Sequence, residues 1–323
     1  MNPIEIHSVC IVIPVYNSES TIEKLVDEAM STLSPKYGHV EIILGNDGSQ
    51  DNSHDCAMRA FNKYPDNVKY IQLAKNFSEH NAVMAGLNYV SSDCVGIIDD
   101  DFQNPPSEVI KLVEKLKEGY DVVYSCYDDK KHHWFRNLGS SFNDWVATKL
   151  LKKPSGLYLS SFKVMHKTLV KNVIKYNGPF PYIDGILLRS TNRIGTQLVA
   201  HKDREDGQSN YTLTRLISLW LNMFTGFSIV PLRVASFIGI VMSVITPFLI
   251  LFYALSYQTG GVFVKQVIPP GWASLIILVN FFGGLQLLVL GIIGEYIGRL
   301  FLTANQSPQF VVRETYIKKE IDE

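Results

Sequence analysis

Net charge is nearly absent from this chain. Its 30 Lys and Arg residues are offset by 31 Asp and Glu, which leaves a formal charge of −1 at pH 7. That balance supplies no field to gather a polyanion, so nucleic acid is not an expected partner. Cysteine is scarce too. The four cysteines, Cys10, Cys56, Cys94 and Cys126, are far apart and form no CxxC pair. This spacing argues against a disulfide scaffold and against a thiolate zinc site, and for buried reduced thiols in a cytosolic domain. His80 and the His132-His133 pair have no cysteines at zinc-ligand spacing, so no zinc is expected. A secretory leader is not expected either. Met1 to Ser8 holds Glu5 and no Lys or Arg, and the apolar Val9–Val15 run is short and contains Pro14. No internal repeat and no low-complexity segment is evident.

Long uncharged runs, by contrast, are present, and all in one part of the chain. Residues 1–212 mix charged and apolar positions; from Leu213 onward charges thin out. Val234 to Leu255 and Trp272 to Ile293 each hold about 22 residues without a charge, the length that spans a bilayer. Pro247 inside the first is better tolerated in a membrane helix than in a soluble one. Gly283, Gly284, Gly291 and Gly294 allow close helix approach. That approach serves the pair within one chain or a homo-oligomer equally. Thr212 to Ser228 carries Leu213, Leu216, Ile217, Trp220, Leu221 and Phe224 at helical spacing, which predicts an interfacial helix or a core helix of the soluble part. Arg215, Arg233 and Arg299 flank the outer ends of the two runs, and the segment between them holds only Lys265. The positive-inside rule then places both termini in the cytoplasm of a multi-pass inner-membrane protein. The expected organisation is a cytoplasmic domain over 1–211, an interfacial helix over 212–230, a two-helix transmembrane hairpin over 231–303 and a polar, partly flexible tail over 304–323.

The first part reads as alternating strands and helices. Apolar β-branched Val9 to Ile13 forms a strand that ends at Pro14, and Ser18 or Ser20 can cap a helix over about Thr21 to Leu33. Val40 to Leu44 and Val68 to Leu73 are further strands, each followed by a helix, and Val95 to Ile98 is a fourth. This β-α-β-α-β-α-β order predicts an α/β, Rossmann-like, parallel doubly wound sheet. Ser107 to Glu118 is an amphipathic helix and Asp121 to Cys126 a strand. Phe135 to Leu151 reads as a helix, Tyr158 to Val164 as a strand, Lys167 to Lys175 as a helix and Arg193 to Ala200 as a strand. In such a sheet, ligands bind outside the carboxyl ends of the strands. Pro14 to Asn17, Asn46 to Ser49 and Asp99 to Gln103 all lie at those ends.

Asp99-Asp100-Asp101 stands out among them. Three carboxylates in a row repel one another, and a divalent cation is the simplest group to offset them. One or two carboxylates together with substrate phosphates suit Mg²⁺ or Mn²⁺, which would neutralise a departing nucleoside diphosphate. The plainer alternative is an acidic loop or a helix cap.

Taken together, Pro14-Val15-Tyr16-Asn17, Asn46-Asp47-Gly48-Ser49 and Asp99-x-Asp101-x-Gln103-Asn104-Pro105-Pro106 resemble the GT-A fold of family-two glycosyltransferases. Lys75-Asn76-Phe77 with His80, Trp134-Phe135-Arg136 with Ser140, Arg204 with Gly207 and Ser209, and Gly294-Glu295-Tyr296-Ile297-Gly298-Arg299 are similar to the polyprenyl-phosphate branch of that family. The resemblance implies transfer of a sugar from a nucleoside diphosphate sugar, expected to be a UDP-sugar, to a polyprenyl phosphate such as undecaprenyl phosphate. It implies that Pro14, Tyr16 and Asp47 hold the nucleoside, with Asn17, Lys75 and Asp100 beside them. Asp99 and Asp101 would contact the metal-diphosphate, with Gln103 in the same region. Arg136 and Ser140 would bind the acceptor phosphate, where Lys130, Lys131, Arg204 and Ser209 are further candidates. Asp184 is a candidate base or sugar-hydroxyl contact, and a cap or turn residue on the plainer reading. The sequence departs from the branch at Asn46, Tyr127, Leu157 and Asn210, where relatives often carry an aspartate, an arginine, an aspartate and a lysine.

Two rivals are weaker. A processive polysaccharide synthase needs more spans and usually a downstream Gln-x-x-Arg-Trp motif, which this sequence lacks. A non-catalytic membrane scaffold would not need Asp47, Asp99, Asp101 and Arg136 intact.

Overall fold

The computed structural model describes residues 4–127, 153–154, 156–200, 230–258 and 271–318. Two compact units divide the chain: Met1–Leu216 with Gln306–Glu323, and Ile217–Asn305. The expected helices over Phe135 to Leu151 and Thr212 to Ser228 lie outside the described residues.

The first unit is built on eight strands: β1 (Ser8–Val15), β2 (His39–Asn46), β3 (Val68–Leu73), β4 (Cys94–Ile97), β5 (Val122–Cys126), β6 (Lys163–His166), β7 (Ile194–Leu198) and β8 (Val312–Tyr316). They form one sheet in the order β7-β5-β6-β4-β1-β2-β3-β8. β1 to β4 pair in parallel, as the alternating pattern predicts. β1 and β2 are buried along almost their whole length because helices cover both faces, so their sequences are apolar runs rather than alternations.

The sheet is nevertheless mixed, which corrects the expected all-parallel sheet. β6 inserts antiparallel between β4 and β5, and β8 adds antiparallel to the outer edge of β3. β8 also corrects the expected flexible tail. Its charges, Arg313 and Glu314, suit an edge strand, where one side meets water. Tyr316 secures it by stacking on Tyr70, with ring centroids 5.5 Å apart and planes 14° apart.

Among the described residues six helices accompany the sheet: α1 (Ile22–Leu33), α2 (Ser53–Lys63), α3 (Glu79–Leu87), α4 (Glu108–Lys117), α5 (Lys167–Val173) and α6 (Ile183–Ser190). α1 shows why they form where they do. Ile22, Leu25, Val26, Ala29, Met30 and Leu33 repeat at helical spacing and are all buried. Each large one contributes about 1.5–3 kcal/mol by leaving water. The expected Ser18 or Ser20 cap is not made: Thr21 stands at the N-cap without a side-chain bond, and Ser18 is used elsewhere.

Strand β1 runs on through Pro14 to Val15 instead of stopping at the proline. β4 has already ended opposite Val12, so beyond that point no neighbour on that flank demands the N–H that proline lacks. Pro14 still pairs in register with Gly45 on the other side.

The second unit contains α7 (Val230–Gln258) and α8 (Gly271–Ala304), which touch each other. Glu295 and Arg299 are the charged residues of α8, and they pair across one turn at 2.8 Å. Among the described residues one segment, Phe281–Ala304, is long and apolar enough to cross a membrane.

Candidate active site

The three loops expected to converge do so through side-chain bonds. Asn17, with φ 56°, takes the left-handed conformation that asparagine tolerates. Its N–H donates to Ser49 Oγ at 3.0 Å, and its Oδ1 accepts from the Gln50 N–H at 2.9 Å. The loop after β1 is thereby tied to the loop after β2. Ser18 adds a second tie, its N–H donating to Ser53 Oγ at 2.8 Å.

Asp100 ties in the loop after β4. Its Oδ2 accepts from the Tyr16 N–H at 3.2 Å and from the Ser18 hydroxyl. The middle acid of the triplet therefore pins the β1 loop. Of the three adjacent like charges, this one is engaged by the β1 loop. Desolvation pushes the Asp100 carboxyl up to about 6, against the two hydrogen bonds that favour its charge. The same loop turns at Phe102, φ 61°, so that the Gln103 N–H can donate to Asp101 Oδ1 at 3.1 Å. Asp99 Oδ2 accepts from the Ser161 hydroxyl at 2.5 Å. Asp99, Asp101 and Gln103 are all part-exposed at the end of β4.

Asp47 follows β2 and is buried. Its Oδ1 accepts from the Phe77 N–H at 2.6 Å. Burial pushes its carboxyl up to about 6, while the backbone N–H groups of Phe77 and Ser78 pull it down. Gly48 makes this contact possible. It sits at φ 68°, and a Cβ there would lie 2.7 Å from the Lys75 carbonyl carbon. Lys75 lies on the same loop, exposed, with Nζ 5.1 Å from the Phe77 ring centroid. Tyr16 is 37 % exposed at the mouth of the loops. Pro14 is buried within β1 behind it.

Comparison with known proteins now bears on the question. The sequence pattern of "Glycosyl transferase family 2" matches residues 10–180. The chain belongs to glycosyl transferase family 2. Two relatives match almost end to end, both named undecaprenyl-phosphate 4-deoxy-4-formamido-L-arabinose transferase. The one from Proteus mirabilis is 30 % identical over 311 residues, covering 96 % of this chain and 94 % of the relative. The one from Yersinia pestis (strain Pestoides F) is 32 % identical over 315 residues, with the same coverage. Among solved structures, glucosyl-3-phosphoglycerate synthase from Mycobacterium tuberculosis, in complex with Mn²⁺, UDP and phosphoglyceric acid, superposes with a TM-score of 0.51. At 20 % identity over 68 % of this chain and 76 % of that one, it shows the fold alone. That fold is GT-A, and the protein is a glycosyltransferase.

The transferase brings further residues to the site that the motifs did not single out. Ser161 precedes β6 and reaches Asp99. Lys163, on β6 opposite Ile97, is buried and paired with Asp184. Asp184 also accepts from the Tyr124 hydroxyl at 2.9 Å. It lies in the first turn of α6, close to the cap position that the plainer reading allowed. Buried and held by a cation and a phenol, Asp184 has the setting of a positioning group rather than of a base that meets substrate. Tyr127, where relatives of the branch often carry arginine, donates instead to Asn104 Oδ1 at 2.8 Å and fixes the segment after the acidic loop. Arg136, Ser140, Lys130, Lys131, Arg204 and Ser209 lie outside the described residues.

Proposed function

We propose that this glycosyltransferase moves a sugar from a nucleoside diphosphate sugar, a UDP-sugar, to a polyprenyl phosphate, with undecaprenyl phosphate the acceptor, at the cytoplasmic face of an inner membrane spanned by α7 and α8. The acceptor is supported by the end-to-end match to relatives named for undecaprenyl phosphate. The membrane reading is supported by the length and apolarity of the two helices.

The observation that carries the donor reading is the convergence at the strand ends. Asp47 is a buried carboxylate held at the strand ends by the Phe77 and Ser78 backbone N–H groups, a group suited to accept from a base N–H as well. Tyr16 is tied directly to the acidic turn, its N–H donating to Asp100 Oδ2 at 3.2 Å. Asp99 and Asp101 fit a hard divalent cation, Mg²⁺ or Mn²⁺. Among the described residues no three His, Cys, Asp or Glu side chains stand close enough to hold an ion by themselves. Two carboxylates with the remaining positions left to phosphates and water match how Mg²⁺ is usually held. When bound, such an ion would stabilise the charge on the departing diphosphate.

The residues then have simple work. The acceptor phosphate is ionised at neutral pH, so its oxygen needs no strong base. It attacks the anomeric carbon, the bond from that carbon to the diphosphate oxygen breaks, and the configuration inverts. The protein supplies position and a charge-matched site for the leaving group. Asp101→Ala tests this. It is expected to lower Mn²⁺-supported transfer at least ~100-fold while the protein still inserts in membranes. Turnover near that of the unmodified enzyme would refute the assignment.

A further inference from the structure

Near the start of α3, one buried side chain is only half satisfied. Asn81 is 6 % exposed, and its Oδ1 is one of two buried side-chain polar atoms without a hydrogen-bond partner among the described residues, the other being the Tyr37 hydroxyl. Turning the amide over would not remove the defect. Nδ2 donates to the Phe77 carbonyl at 2.5 Å, and an oxygen in its place would face an oxygen. Asn88 makes the same kind of bond to the Met84 carbonyl, at 2.7 Å, but it is exposed, so its oxygen is open to water. A buried acceptor is ordinarily satisfied, and this one is a cost that an apolar residue would avoid. Helix capping does not account for it. The backbone already closes the first turn, the N–H groups of Asn81 and Ala82 donating to the Ser78 carbonyl at 2.9 and 3.1 Å. A second cost lies beside the first: Ser78 holds φ 85° and ψ 155°, a backbone conformation that suits glycine and strains serine.

Both costs fall on the turn that holds Asp47. The Phe77 N–H donates to Asp47 Oδ1 at 2.6 Å, while the Phe77 carbonyl accepts from Asn81. That carbonyl and the Ser78 N–H belong to one planar peptide, and the Ser78 N–H is the second backbone group that favours the charge on Asp47. Rotation about φ of Ser78, towards the conformations serine prefers, would swing this peptide relative to α3. The bond to Asn81 and the hold on Asp47 would then be lost together. α3 gives the bond a firm base, because it lies so close to β2 that a Cβ on Gly45 would come 2.8 Å from the Ala82 carbonyl oxygen. We propose that Asn81 is a positioning residue of the nucleoside site: by holding the Phe77 carbonyl it keeps the strained turn in the form that fixes Asp47. The proposal rests on the reading of Asp47 as the acceptor of a base N–H, and deepens it. A carboxylate with fixed backbone partners meets the base already oriented. One whose partners swing must be ordered as the nucleotide binds, and that ordering costs affinity.

The test is a double-mutant cycle on the full chain in detergent with Mn²⁺. Free UDP is the probe, its affinity is read by calorimetric titration, and melting temperatures are taken on the same samples. Asn81→Leu removes the bond to Phe77 and the unpaired oxygen together, so the protein is expected to stay folded while UDP affinity falls at least ~tenfold. Ser78→Gly relieves the strain; it is expected to raise the melting temperature and to leave UDP affinity within about threefold. In the Ser78→Gly background the turn no longer pulls against its bond to Asn81. Asn81→Leu is then expected to cost less than about threefold. An asparagine that serves the fold alone would cost the same in both backgrounds. Equal losses in the two backgrounds would therefore overturn the proposal, as would unchanged UDP affinity in Asn81→Leu. If Asn81→Leu does not fold, Asn81→Ala is taken through the same cycle with the same expected outcomes. An unmodified protein that does not bind UDP, or an Asp47→Asn variant that binds it as well as the unmodified protein, would overturn the reading of Asp47 itself, and the proposal with it.

Discussion

Asp47 carries the cost that the proposed nucleotide site would place on the fold. A carboxylate in water titrates near 3.9, and burial raises this one to about 6. A folded-state pKa above the unfolded value favours the protonated form. The stabilising contribution is therefore complete below pH ~4 and is lost as pH rises through about 6. At pH 8 the ionised group costs the fold on the order of 1–3 kcal/mol. Asp47→Asn keeps an oxygen for the Phe77 N–H and removes the charge. It is expected to raise the melting temperature at pH 8 and to abolish nucleotide binding, while the unmodified protein binds nucleotide progressively less well below pH 6. Melting curves and nucleotide titrations across pH 5–8 check both halves. A less stable Asn variant would show that the charge is satisfied by contacts other than the backbone pair. Asp100 has a comparable shift, but its bonds to Tyr16 and Ser18 mark it as the group that sets loop geometry.

Among the elements, β8 carries the clearest consequence. The residues after α8 return to the sheet and cover the edge of β3, so the sheet's outer strand there is short and charged. Tyr316 stacks on Tyr70, and the Tyr70 hydroxyl accepts from Asn46 Nδ2 at 3.0 Å, one residue before Asp47. Tyr316→Ala should cost about 1–2 kcal/mol in chemical denaturation and weaken nucleotide binding a few-fold through Asn46. An unchanged midpoint would mean that the strand's backbone pairing alone holds it.

The elements also show what was legible beforehand. β1 to β4 and α1 to α4 could be read because apolar runs and helical stripes are local signals. β6, α6 and β8 were harder. A strand was expected over Tyr158 to Val164, but β6 begins only at Lys163, a charged residue buried because it pairs with Asp184. Gly185 masks α6, and Arg313 and Glu314 make β8 look like solvated tail. The acidic triplet was legible as a candidate site, yet the hydrogen bonds by which Asp100 holds the β1 loop were not. Those bonds depend on Tyr16 and Ser18, more than eighty residues away in sequence.

The molecule as a whole combines a paired, charge-balanced GT-A unit with helices whose large apolar side chains are exposed: Phe237 and Leu287 are 66 % and 71 % exposed. Exposure on that scale is expensive in water and is consistent with the proposed lipid environment. The protein should stay with membranes through high-salt and alkaline washes and leave only with detergent; release by salt would mean a peripheral attachment. The central claim, sugar transfer to a polyprenyl phosphate, is tested most directly by one assay. The purified full chain, with Mn²⁺ or Mg²⁺, is given a panel of radiolabelled UDP-sugars and undecaprenyl phosphate, and label is followed into the organic phase. The account predicts a lipid-linked monosaccharide from one donor, lost on chelation and in Asp101→Ala. Label that stays in water with every donor, or that appears as a soluble polymer, would contradict it.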